Sequence, residues 1–256
     1  MFPYRVVAWS ILVSVFAWTG QASAGWIIDL GVMHQDLREG PEGGDRLHYQ
    51  VLWQANRIKN VLHWEGKPAM AFILDLNAET ITQVDYEQRH YAVGEFSMMN
   101  QGAQLPPRAG PVRQDCKVET RKTGQQATIA GYPAVHYDVL IDGKLTSEVW
   151  LAKGITAYEE LDPKKLEQLE RFLAEEARQM LDCAGAIGLG FPFNLIDPTS
   201  KLAGGGYPVR RLRRGLYDIS VVEVVQAASR IVPATEFQTP AGFSPKTFRE
   251  MPPSPW

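Results

Sequence analysis

The sequence predicts a mostly β protein of the α+β class, with an antiparallel sheet and one amphipathic helix. Many short segments alternate apolar and polar residues between turns rich in Gly, Pro and Asn, which is typical of consecutive antiparallel strands. One later segment repeats apolar residues at helical spacing behind a capping signal. A hydrophobic content of 45% and seven Trp residues indicate that these elements bury a core.

The chain begins with the layout of a cleaved secretory signal over residues 1–24. Arg5 precedes an apolar run from Val6 to Trp18, and Ala22-Ser23-Ala24 supplies the small residues of a cleavage site. The run is shorter than the roughly 20 residues of a membrane span, and no later stretch of the sequence approaches that length. We therefore expect a mature chain that has no transmembrane segment and works outside the cytoplasm.

The strand pattern falls into two groups on either side of a crossover. The first group is predicted at Trp26–Val32, Arg46–Ile58, Asn60–Trp64, Ala69–Leu76, Thr80–Tyr86 and Arg89–Val93. Gln101–Arg113 is rich in Pro, Gly and Ala and predicts the crossover. The second group is predicted at Lys117–Thr123, Thr128–Tyr132, Ala134–Ile141, Lys144–Leu151 and Tyr217–Val225. Asp142-Gly143 is a strong hairpin signal within it.

The helix is predicted to start at Asp162, a good N-cap, with Pro163 in the first helical position. Its apolar residues form one stripe: Leu166, Leu169, Leu173, Ala177, Met180 and Leu181. A helix with a single apolar stripe must bury it, and a face of the sheet is the nearest apolar surface.

Cysteine usage agrees with an exported chain. The only two cysteines, Cys116 and Cys183, follow the signal, and an even count in an oxidising compartment predicts a disulfide between them. They lack the CxxC spacing of a metal or redox site, so the bridge is interpreted as structural.

The sequence contains no recognisable catalytic or metal-binding motif. No two histidines have HxH or HxxxH spacing, and the GxSxG nucleophile elbow is absent from the sequence. Asp75, Asp85 and Asp138 occupy outward strand positions, where we expect solvated carboxylates. A net charge of −3 gives no electrostatic footprint for nucleic acid. We therefore predict a protein that is not an enzyme, with no cofactor and no metal.

Four segments resemble a family of bacterial secreted proteins known only as a domain of unknown function, which is related to the periplasmic lipoprotein carriers LolA and LolB. These segments are Ile73–Val93, Thr123–Ile155, Gly206–Arg210 and Phe237–Lys246. The resemblance implies a curved, half-open antiparallel β-barrel with the helix packed on its concave face and an apolar cavity beneath. It implies a single LolA-like domain over residues 25–248 and a periplasmic location. The Pro-rich end of the sequence predicts a disordered tail over 249–256.

The inward residues of the predicted strands have two interpretations, because they either line a ligand cavity or fill an ordinary core. The candidates are Tyr49, Trp53, Phe72, Leu74, Tyr91, Tyr137 and Val139. The apolar loop residues Phe191, Phe193 and Leu195 either cover the cavity mouth or fold back onto the core.

Two functions follow from these interpretations. The first is a periplasmic protein that binds an apolar or amphipathic ligand, such as a lipid or an acyl chain, in the half-barrel. The alternative is an envelope interaction or scaffold protein with a filled core. Its protein partner would dock on a sheet edge or on the basic run formed by Arg210, Arg211, Arg213 and Arg214.

Overall fold

The computed structural model describes residues 24–36, 38, 44–96, 117–169, 205–215 and 218–252. The predicted signal up to residue 23, both cysteines with their predicted bridge, and the loop containing Phe191, Phe193 and Leu195 lie outside these residues. No helix among the described residues is both long and apolar enough to cross a bilayer.

The described chain is mostly β. Its strands are β1 (Gly25–Asp36), β2 (Gly44–Gln54), β3 (Arg57–Trp64), β4 (Lys67–Asp75), β5 (Thr80–Asp85), β6 (His90–Glu95), β7 (Val118–Ile129), β8 (Tyr132–Ile141), β9 (Lys144–Ala152), β10 (Tyr207–Arg214), β11 (Asp218–Arg230) and β12 (Ser244–Pro245). The described part of the one helix, α1, covers 163–169. Two 3-10 helices lie at Ala157–Glu160 and Ala234–Phe237.

All twelve strands belong to one sheet, in the order β12-β6-β5-β4-β3-β2-β1-β11-β10-β9-β8-β7. The sheet is therefore two meanders, β1–β6 and β7–β11, joined where β1 pairs with β11. Every pair is antiparallel except β12 with β6, so the prediction of a wholly antiparallel sheet is corrected at that edge. The sheet is curved and not closed, which agrees with the predicted mostly β class.

Tight hairpins set the register of both meanders. Asp142 and Gly143 both have positive φ, as do Ala55 and Asn56, and each pair forms a two-residue turn between consecutive strands. Positive φ at both central positions is the type I′ geometry, whose twist matches that of the flanking strands. The predicted Asp142-Gly143 turn is thus confirmed.

The sequence pattern did not predict β10, nor the short edge strand β12. The last five residues of β10 contain four arginines, which hide the alternation of apolar and polar residues. The structure nevertheless pairs β10 with β9 and β11, with a bulge between Pro208 and Arg210. A bulge of this kind inserts an extra residue and disturbs the period-two pattern further.

The two faces of the sheet carry different apolar clusters. One face, called the helix face here, buries Leu166 and Leu169 of α1 in the same cluster as Trp53 of β2. The opposite face, called the tail face, buries Val232 and Phe237 from the segment after β11. The helix-face cluster lies next to the cavity described below.

The C-terminal segment, residues 231–252, contacts both faces. Phe237 packs on the tail face, Ser244 pairs with His90 at the sheet edge, and Phe248 packs against the helix-face cluster. Met251 is also buried. The start of the predicted disordered tail at residue 249 is therefore corrected, because residues up to 252 belong to this packed segment.

Candidate functional site

The helix face of β1–β4 forms an apolar floor whose composition follows from strand register. Directly paired residues of antiparallel strands lie on the same face. Reading across the four strands gives three neighbouring rows: Trp26, Trp53, Ile58 and Leu74; Ile28, Val51, Asn60 and Phe72; and Leu30, Tyr49, Leu62 and Met70. Asn60 is the one amide in these rows, and all the other members are aliphatic or aromatic.

An aromatic cluster joins this floor to distant parts of the chain. The Trp53 ring meets the Tyr158 ring edge-on at 5.4 Å and the Tyr207 ring edge-on at 6.2 Å between centroids. Tyr158 and Tyr207 lie 5.5 Å apart. Edge-to-face contacts are favourable for aromatic rings. The cluster therefore links β2, the 3-10 helix Ala157–Glu160 and β10.

Burial changes the acid–base properties of polar groups around the floor. It raises the pKa of the phenols of Tyr49 and Tyr207 well above their ordinary range. It also lowers the pKa of Arg211 to about 10, against an opposing effect of Tyr158 and with a further decrease caused by Arg213. Both tyrosines stay neutral and Arg211 stays charged at neutral pH.

The start of α1 is fixed to the β2–β3 turn. The Lys164 backbone N–H donates to Asp162 Oδ1 at 2.8 Å, which confirms Asp162 as the predicted N-cap. The Asp162 N–H donates to Asn56 Oδ1 at 2.5 Å, and the Asn56 N–H donates to the Glu160 carbonyl at 2.9 Å. These bonds hold the first turn of the helix against the end of the floor.

A cavity of about 500 Å³ lies beside this helix start, at the β4–β5 turn and the end of β6. Its lining residues are Leu76, Ala78, Glu79, Glu95, Phe96, Lys165, Gln168 and Leu169. Leu76 and Leu169 also belong to the helix-face cluster. Lys165 Nζ donates to Asn77 Oδ1 at 2.9 Å, so its ammonium is held near the cavity. The cavity thus has apolar walls and charged groups around it.

The seven predicted cavity residues fall into three separate groups. Tyr49, Trp53, Phe72 and Leu74 share the helix-face cluster. Tyr91 packs on the tail-face cluster. Tyr137 and Val139 belong to a third cluster, formed by β8 and β9. The 500 Å³ cavity is lined by other residues, so a ligand-binding role for these seven stays a prediction.

The expectation that Asp85 and Asp138 are solvated is wrong. Both residues are buried, Asp85 Oδ1 accepts from the Gln88 N–H at 2.9 Å, and Asp138 Oδ2 pairs with Arg121 at 2.6 Å. Strand alternation alone could not predict this burial, because it identifies the face but not what covers it.

The strand position of His136 predicts a solvated or hydrogen-bonded side chain, and the structure shows the hydrogen-bonded form, with the residue only 4% exposed. Its Nδ1 lies 2.8 Å from Thr123 Oγ1, and its Nε2 lies 3.4 Å from Glu148 Oε2. The centroid of its ring lies 4.7 Å from that of Trp150, with the two rings tilted by 39°. This order of groups matches a nucleophile, base and acid. However, Thr123 also donates to the His136 carbonyl oxygen, and Glu148 pairs with Arg214. These additional bonds favour a structural network that ties β7, β8, β9 and β10 together.

The basic run of β10 is largely neutralised. Arg210 pairs with Glu223, Arg213 with Asp218, and Arg214 with Glu148. Because these three guanidinium groups already have carboxylate partners, the run does not form the open basic surface that docking of an acidic partner requires.

No group of three or more metal-ligating side chains comes together within the described residues. The rings of His48 and His63 lie 5.2 Å apart, and His48 Nε2 lies 3.9 Å from Asp29 Oδ1. Burial and then the neighbouring His48 lower the pKa of His63, against the opposing effect of Asp29 and a hydrogen bond with Val61. His63 is therefore a pH-sensitive residue.

Acidification is expected to destabilise the protein through His63. Its lowered pKa favours the neutral form of the imidazole in the folded state, whereas the pKa of the same residue in the unfolded chain is about 6.5. The unfolded state thus binds the extra proton as the pH falls through about 6.5, and stability decreases. Urea denaturation at about pH 7 and about pH 5 measures this loss, and His63→Gln is expected to reduce it. An identical loss in wild type and variant would contradict the assignment.

A family model described as a domain of unknown function, DUF4412, matches residues 31–243. The chain belongs to this family. The matched range of the DUF4412 domain includes most of the floor, the aromatic cluster and the cavity residues. The predicted resemblance to a domain of unknown function is confirmed at this level. No curated protein matches the chain.

Solved structures resemble this DUF4412 protein only weakly. PNGF-II is 9% identical with a TM-score of 0.39; the match covers 88% of this chain but only 31% of that one. The Pseudomonas aeruginosa MucA/MucB complex is 11% identical with a TM-score of 0.39, and the match covers 86% of this chain and 57% of that one. The Mycobacterium tuberculosis lipoprotein LppX is 11% identical with a TM-score of 0.34, and the match covers 81% of this chain and 87% of that one. TM-scores this low carry no information about function.

Proposed function

We propose that this DUF4412 protein is a non-catalytic periplasmic protein that binds an apolar or amphipathic ligand, such as a lipid or an acyl chain, in a half-open LolA-like barrel. The cavity of about 500 Å³ next to the helix-face cluster carries the proposal. Its volume lies within the roughly 300–1,000 Å³ that is typical of small-molecule sites.

The chemistry of the cavity favours an amphipathic ligand. Leu76, Phe96 and Leu169 offer apolar walls, and burial of each ligand CH₂ group against such walls contributes about 0.8 kcal/mol. Glu79 and Lys165 place charges at the same cavity, where a polar head can stay hydrated. A ligand with one apolar and one polar end matches both features.

Access to the floor depends on the first turns of α1. Leu169 and Lys165 line the cavity, while Leu166 and Leu169 pack on the floor cluster. A small shift of α1 away from the β4–β5 turn therefore enlarges the cavity toward the floor. The helix start at Asp162, fixed to Asn56, acts as the hinge in this proposal.

The first test is native mass spectrometry of the protein purified from the cell envelope, before and after solvent extraction. We expect a mass excess that disappears on extraction. Titration of the extracted protein with the apolar fluorophore N-phenyl-1-naphthylamine is then expected to give saturable binding. If the protein showed no mass excess and did not bind the fluorophore, the proposal would be contradicted. That result would favour a scaffold protein with a filled core.

A cavity-filling variant locates the site. Ala78 is exposed and lines the cavity, so Ala78→Trp is expected to weaken fluorophore binding at least about tenfold while leaving the melting temperature nearly unchanged. Glu87→Trp, at an exposed turn position away from the cavity, is the matched control and should bind like wild type. Equal binding by both variants would place the ligand elsewhere.

A further inference from the structure

Asn60 places a side-chain amide among the aliphatic and aromatic residues of the helix-face floor. Its side chain is fully buried, and within the part of the chain that the structure describes neither Oδ1 nor Nδ2 has a hydrogen-bond partner. Its register partners on the same face are Val51 and Phe72, and its neighbours two residues away along β3 are Ile58 and Leu62. All four are buried apolar residues of the helix-face cluster, so none of these side chains can satisfy the amide.

A second amide on the same face, in strand β5, shows how such a group is normally satisfied. Gln83 pairs with Phe72 in register and therefore lies on the same face. Its Nε2 donates to the Pro252 carbonyl oxygen at 3.2 Å and contacts Met70 Sδ at 3.8 Å. The C-terminal segment thus supplies a partner for Gln83 on this face, whereas no described residue supplies one for Asn60.

An amide left in this state is costly, because it has lost its hydrogen bonds to water without replacement. A side chain that reduces the stability of the unliganded fold in this way is typical of a functional position. We propose that Asn60 is the polar anchor of the ligand site and binds a neutral hydroxyl or amide group of an otherwise apolar ligand. This inference rests on the proposed function.

The chemistry of the amide selects the ligand group. Nδ2 donates and Oδ1 accepts, so the complementary group must offer both an acceptor and a donor. A hydroxyl and a secondary amide each do so without carrying charge. A carboxylate offers only acceptors, and the four apolar neighbours of Asn60 would leave its charge uncompensated.

The position of Asn60 indicates where this group lies along the ligand. Phe72 pairs directly with Asn60. Leu76, which lines the cavity, comes four residues after Phe72 in the sequence. At about 3.4 Å per residue, the separation is roughly 14 Å. A ligand that enters at the cavity with its charged head outside therefore brings a mid-chain group to Asn60.

The test compares 12-hydroxyoctadecanoic acid with octadecanoic acid, measured by displacement of N-phenyl-1-naphthylamine. Asn60→Leu keeps the side-chain size and removes both polar atoms. We expect this variant to bind the hydroxy acid about tenfold more weakly than wild type and the plain acid at least as tightly. The variant is also expected to melt at a higher temperature without ligand, because it removes the unsatisfied amide.

Ile58→Val is the matched control, since Ile58 is a fully buried floor residue of the same strand and face. It should lower stability and leave the ratio of the two affinities unchanged. Asn60→Val serves as a second variant if Asn60→Leu does not fold. An unchanged ratio in the Asn60 variants, with both acids bound, would overturn the anchor and leave the proposed function intact. Binding of neither acid by wild type would overturn both.

Discussion

Trp53→Ala is expected to lower the free energy of unfolding by about 3–5 kcal/mol, the usual range for truncation of a buried Trp. Trp53 is fully buried at the floor and contacts the rings of both Tyr158 and Tyr207. Its removal leaves a void where β2, β10 and the 3-10 helix before α1 meet. Urea denaturation followed by circular dichroism measures the loss.

Trp64→Ala is the matched control for this prediction. Trp64 is 56% exposed at the end of β3, so its truncation is expected to change stability by no more than about 0.5 kcal/mol. If both tryptophan variants lost the same amount of stability, the aromatic cluster could not be the packing centre that the ring contacts indicate.

Phe237→Ala is expected to lower the free energy of unfolding by a similar amount, about 3–5 kcal/mol, from the opposite face of the sheet. Phe237 is buried in the tail-face cluster, and the Arg57 guanidinium lies 4.8 Å from its ring centroid. The adjacent Glu236 pairs with the buried Lys59 at 3.3 Å. Loss of the ring therefore also weakens the partner of a buried ammonium group.

Limited proteolysis separates this effect from a general loss of stability. We expect Phe237→Ala to expose the segment 231–252 to cleavage before the rest of the sheet unfolds. Ile231→Ala, at a residue that is 62% exposed in the same segment, should be cleaved like wild type. Equal cleavage of both variants would mean that Phe237 does not fasten the segment.

Local rules predicted much of the fold because two-residue turns and alternation act over short distances. The hairpin at Asp142-Gly143 and the N-cap at Asp162 are examples, since each depends on a few neighbouring residues. β10 was missed because its arginines form ion pairs with β9 and β11, which are partners that the local sequence does not reveal.

The site was less predictable from the sequence. Alternation shows which residues of one strand share a face, but it does not show which residues of the neighbouring strands lie on that same face. Tyr91 pairs with Val84, and Val84 with Ala71, which places Tyr91 on the tail face and not with Phe72. Tyr137 pairs with Val149, and Val149 pairs with Arg211 beyond the bulge in β10. These pairings place Tyr137 on the same face of the sheet as Arg211. Bulges and register depend on the whole sheet, so they were beyond a reading of single strands.

The central position of β1 has a consequence for how the chain folds. One side of β1 pairs with the adjacent β2, but Gly25 on its other side pairs with Arg230, near the far end of the sequence. Contacts between such distant residues close slowly, because the loop-closure entropy must be overcome first. The β1–β6 meander therefore exists with an open edge along β1 until β11 is available. During that interval the newly made chain is most exposed to edge-to-edge aggregation and most dependent on chaperones.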